Sequence, residues 1–138
     1  MLKTFLTKTI HFVLVMTTIL TMFISCSKED SSSDTYAYQG ELTPLVGFTG
    51  TGQIRANLSD HDLDLNLNFS GIPIVRAYLI QNKNGAIRIQ NLADNPIAPF
   101  NKKIIIADSI ITELNLGNIG VELLNSTGAI ALRGYLKK

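Results

Sequence analysis

Asp62-Leu63-Asp64-Leu65-Asn66-Leu67-Asn68-Phe69 alternates polar and apolar residues without a break. Successive side chains of an extended strand point to opposite faces. Leu63, Leu65, Leu67 and Phe69 therefore share one face, and Asp62, Asp64, Asn66 and Asn68 share the other. A helix would scatter both sets around its circumference, so this stretch predicts a half-buried strand of an antiparallel sheet.

Working outward, Gln53-Ile54-Arg55-Ala56-Asn57-Leu58 alternates in the same way, and Ser59-Asp60-His61 between the two runs has turn chemistry, which predicts a hairpin. Ile74 to Gln81 and Ala86-Ile87-Arg88-Ile89-Gln90 flank Asn84-Gly85, a tight-turn pair for a second hairpin. Asp94 to Pro99, with two prolines, predicts a loop. Lys102 to Ile106 predicts a buried strand, and Asp108-Ser109 is expected to cap a short helical turn reaching Glu113. Gly120 to Leu124 and Ala129 to Leu136, around Asn125-Ser126-Thr127-Gly128, predict a closing hairpin. Short strands at this spacing give an all-β class, an antiparallel, Greek-key, immunoglobulin-like β-sandwich over residues 36–138.

The chain has 138 residues and a formal charge of +1, with one Cys and two His. That length suits one domain behind a short leader. The near-neutral balance excludes an electrostatic nucleic-acid binder. Lys3 and Lys8 precede an apolar run from Ile10 to Ile24, so residues 1–25 are expected to be a secretory signal. Beyond it, His61 is the sole imidazole and Cys26 the sole thiol. No intradomain disulfide, no Cys/His zinc set and no Gly-rich phosphate loop can be assembled, so no catalytic residues, metal or cofactor are assigned. Asp60-x-Asp62-x-Asp64 lacks the Gly and Glu that an EF-hand loop requires, since Leu65 and Gly71 hold those places. The chain is read as a non-enzyme. The alternatives are a small hydrolase pairing Asp62 with Glu113 or Glu122, and an inert envelope spacer.

Phe23-Ile24-Ser25-Cys26 resembles a bacterial lipoprotein lipobox, an apolar residue three positions before the Cys and a small one just before it. The resemblance implies a lipidated Cys26 as membrane anchor. Lys28-Glu29-Asp30 is similar to the export tag of Bacteroidota surface lipoproteins, and residues 26–35 form a polar tether. The implied location is the outer membrane at the cell surface, with a periplasm-facing anchor as the alternative. Acyl chains contribute ~0.8 kcal/mol per buried methylene, so two or three hold a protein firmly.

The order of the domain's motifs resembles the CHRD (chordin-type) family. Tyr38-Gln39-Gly40-Glu41-Leu42-Thr43-Pro44 is similar to its opening strand, and Gly50-Thr51-Gly52-Gln53-Ile54 to its Gly-rich lead-in. Ser59-Asp60-His61-Asp62-Leu63 is similar to its Asp turn. Leu116 to Leu123, Thr127-Gly128-Ala129-Ile130 and Arg133-Gly134-Tyr135-Leu136 are similar to its closing segments. The family's His-x-His stretch falls at Ala77-Tyr78-Leu79-Ile80, where both imidazoles are absent, so no site is carried over. Membership implies a β-sandwich outside the cytoplasm and no particular activity. Asp62, Asp64, Asn66 and Asn68 remain the one concentrated polar face, a candidate surface for a glycan or an envelope protein.

Overall fold

The computed structural model describes residues 35–138. The expected signal (1–25), Cys26, Lys28, Glu29, Asp30 and nearly all of the tether lie outside the described residues. Thr35, placed in the tether by the sequence, is already the first residue of a strand.

The expected all-β antiparallel class is what the chain forms. The strands are β1 (Thr35–Pro44), β2 (Thr51–Ser59), β3 (Asp62–Ser70), β4 (Arg76–Asn82), β5 (Ala86–Asp94), β6 (Phe100–Ile105), β7 (Ile119–Leu124) and β8 (Ile130–Tyr135). One helix, α1 (Asp108–Asn115), lies between β6 and β7. The strands join in the order β5-β4-β7-β8-β1-β2-β3-β6 as one eight-stranded sheet. The three predicted hairpins are β2–β3, β4–β5 and β7–β8. Asp60 (φ 56°), Asn84 (φ 56°) and Gly85 (φ 120°) occupy the left-handed turn conformations that their chemistry favours.

β1 is the pivot. Thr35 to Leu42 pair with β2, whereas only Thr43 and Pro44 pair in register with β8, helped by a bridge between Gln39 and Lys137. Glycines make this crossing possible. A Cβ on Gly40 would sit 2.1 Å from the Tyr135 carbonyl oxygen, one on Gly134 2.2 Å from that of Glu41, and one on Gly120 2.1 Å from that of Gly134. The backbones of β1, β8 and β7 thus approach more closely than any side chain permits.

All strands feed one hydrophobic cluster. Leu63, Leu65 and Leu67 of β3, Ile54, Ala56 and Leu58 of β2, and Ile119, Val121 and Leu123 of β7 are buried in it with Leu132 and Leu136. Burying each of these Leu, Ile or Val side chains contributes ~1.5–3 kcal/mol. Two expectations need correction. β6 is an edge strand rather than a buried one; Ile104 is buried but Ile105 is 79% exposed. Asp108-Ser109 does not cap α1; the N-cap is Ala107, without a side-chain bond, and Asp108 is drawn instead to His61.

Candidate functional site: the outer face of the sheet

Register decides which side chains stand together. On β3, Asp62, Asp64, Asn66 and Asn68 face away from the core, as the alternation requires. Cross-strand neighbours extend the array. Asp64 lies between Asn57 and Lys103, Asn66 between Arg55 and Asn101, and Asn68 beside Gln53. Asn66 donates its amide to the Asn101 side-chain oxygen. Lys103 Nζ lies 3.0 Å from Asp62 Oδ2. That hydrogen bond, then the charges of Asp62 and Asp64, raise the Lys103 pKa above the usual lysine value. The sequence-predicted residues are therefore brought together, on a surface of amides and paired charges.

The same face continues across β1. Gln39 pairs with Arg55, Glu41 with Gln53 and Thr43 with Arg133, so Gln39, Glu41 and Thr43 point outward with β3's polar set. Here the surface is hollowed. Open depressions of about 550 Å³, 580 Å³ and 210 Å³ all include Glu41 in their walls. The first lies toward β2 and β3, with Gln53, Asn68 and Ser70; the second lies toward β8, with Arg133, Tyr135 and Lys137.

Beyond β8 the outer face carries a group that sequence reasoning missed. Glu122 on β7 is 2% exposed and stands opposite Tyr78 of β4 and Arg133 of β8. Arg133 donates Nε to Glu122 Oε1 at 2.9 Å and adds Nη2 to the same oxygen. Arg88 of β5 donates Nε to Oε2 at 3.1 Å, with its guanidinium 4.9 Å from the Tyr78 ring centroid. The regular register of the β4–β5 hairpin sets Arg88 opposite Ile80, on the same side of β4 as Tyr78, and the β-bulge between Leu79 and Ile80 follows it.

The acidic residues considered for hydrolysis are bonded separately. Asp62 pairs with Lys103, Glu113 accepts from Asn118 Nδ2 at 2.7 Å, and Glu122 is held by the two arginines. Among the described residues no group of three or more His, Cys, Asp or Glu side chains is placed to hold a metal ion. His61 bridges the β2–β3 turn to α1, with Nε2 2.9 Å from Asp108 Oδ1 and Nδ1 3.1 Å from Asp60 Oδ1. Those bonds, Asp108 first and then Asp60, raise its pKa above the ordinary imidazole value. Among the described residues no helix is long and apolar enough to cross a membrane. No protein-family model, curated protein or solved structure matches this chain.

Proposed function

We propose that this chain is a lipid-anchored, extracytoplasmic binding module, tethered through Cys26 at the outer membrane and facing the cell exterior, whose outer sheet face engages a glycan or an envelope protein. The N-terminal lipobox, the Lys28-Glu29-Asp30 tag and the CHRD-like motif order support the anchoring and placement. The observation that carries the binding role is the in-register polar array. Asn66 and Asn68, with Arg55, Gln53 and Asn101, present hydrogen-bonding groups on adjacent strands beside the depressions along β1. Amide side chains both donate and accept hydrogen bonds and a guanidinium donates several, which suits the hydroxyls of a saccharide.

Two arms test this. Protease added to intact cells should digest the domain when residues 28–30 are Lys-Glu-Asp, and spare it until lysis when all three are alanine. Capture of the full-length lipoprotein on immobilised envelope or environmental polysaccharides should fall at least tenfold in Asn66→Ala/Asn68→Ala. Asn68 is exposed and Asn66 half-buried and bonded to Asn101, so circular dichroism checks the fold of the variant, and loss of capture with the fold intact reports binding. Unchanged capture would reject the face as the site.

A further inference from the structure

The Arg88–Glu122–Arg133 group has a property that a purely structural ion pair lacks. One buried carboxylate holds two guanidiniums, so the group carries one positive charge in excess. Arg76, on the same face of β4, is matched by Asp94 at 3.8 Å and leaves that excess in place. Lys137 and Glu41, which both line the neighbouring depression, offset each other.

The donors are unevenly spent. Arg88 uses only Nε toward Glu122, and Arg133 uses Nε and Nη2. Both Arg88 terminal nitrogens and Nη1 of Arg133 have no hydrogen-bond partner among the described residues. The two side chains are 41% and 30% exposed over a carboxylate that is 2% exposed. Their inner edges are therefore fixed and their outer edges face solvent. Tyr78 further holds the Arg88 plane. Arg133 borders the depression of about 580 Å³ that also contains Thr43 and Tyr135.

We propose that Arg88 and Arg133, positioned by Glu122, form a binding site for a single oxyanion group, a carboxylate or sulfate. Guanidinium N–H pairs fit such oxygens in a planar fork, and these forks are oriented before the ligand arrives. The buried Glu122 is the positioning residue; the arginines make the contact. The site goes beyond the polar array on β3, and it stands or falls without it.

The test uses the ¹⁵N-labelled full-length lipoprotein in zwitterionic detergent, with the arginine Nε–H resonances as readout. Sodium sulfate is titrated against sodium chloride at matched ionic strength. Sulfate should shift the Arg88 and Arg133 signals saturably, with half-saturation in the millimolar range. Arg88→Gln should weaken this at least tenfold, Arg88→Lys should give an intermediate loss, and Lys83→Gln, in the β4–β5 turn and outside the ion-paired group, should leave the affinity within twofold. Acetate and galacturonate then separate the sources. Tighter binding of galacturonate assigns the site to an acidic saccharide, and equal binding assigns it to the oxyanion alone. Signals that do not move, or that move equally with chloride, would overturn the proposal. So would Arg88→Gln and Arg88→Lys that both retain wild-type affinity. Polysaccharide capture through Asn66 and Asn68 is read independently, so failure of one site is distinguishable from failure of the other.

Discussion

Replacing Glu122 with Gln changes one atom and removes the charge that two guanidiniums share. The carboxylate is 2% exposed and accepts three N–H bonds, one from Arg88 and two from Arg133. A hydrogen bond involving a charged group is worth ~1.5–3 kcal/mol, and breaking a fully buried ion pair costs ~3–5 kcal/mol. The arginines are 41% and 30% exposed, so water rehydrates much of what they lose. That discount leaves an expected loss of ~2–4 kcal/mol. In a domain of about 100 residues each kcal/mol moves Tm by roughly 4–8 °C. Urea unfolding followed by circular dichroism should show a lower midpoint at an unchanged slope. Double-mutant cycles sharpen the test, because Glu122–Arg133 coupling should exceed Glu122–Arg88 coupling. Arg133 supplies two donors and is the more buried partner. A loss below about 0.5 kcal/mol, or equal coupling for both pairs, would refute the account of Glu122 as the organiser of this face.

Gly134→Ala places a Cβ against the Glu41 carbonyl and should destabilise by at least ~2 kcal/mol, since backbone must move to admit it. Chemical denaturation checks this, and a loss under about 0.5 kcal/mol would mean that the β1–β8 approach is slack. His61 supplies a pH-dependent contribution. Its pKa is higher in the folded chain than the ordinary 6.5, so the stabilisation is complete below about pH 6.5 and fades as pH rises through the folded value. The urea midpoint should drop across that interval, and Asp108→Asn should flatten the drop more than Asp60→Asn does.

Sequence reading succeeded where the structural cause is local. β3 was legible because one side chain in two meets the core, and the turns at Asp60 and at Asn84-Gly85 were legible because few residues accept a left-handed backbone. It failed where the cause is a neighbour. Ile104-Ile105-Ile106 has the composition of a central strand, yet nothing in those residues states that β6 has a partner on one side only. Asp108-Ser109 has the composition of a cap, but the Asp108 side chain is taken by His61, 47 positions away. The arginine pair was the hardest to see. Arg88 lies 34 positions from Glu122, on a strand separated from β7 by β4, and reaches it only across that intervening strand. Glu122 itself reads as the polar member of an alternating strand, although every residue of β7 is buried.

The glycines connect these observations. A sheet that surrounds one core must bend somewhere, and the bend falls where β1 passes from β2 to β8. Side chains at Gly40, Gly134 and Gly120 would force the backbones apart there, opening the core beneath Leu42 and Ile54. Their absence brings the strands together. The depressions along β1 lie over the same crossing. They lie between the amide array of β2 and β3 and the arginine pair of β5 and β8, and the in-register pairs Glu41–Gln53 and Thr43–Arg133 connect the two regions. A ligand lying across β1 would meet amide side chains on one side and guanidiniums held by Glu122 on the other. Ordering costs are lower on the fixed side. Discrimination by charge would then come from Arg88 and Arg133, and accommodation of varied hydroxyl patterns from Asn66, Asn68 and their neighbours.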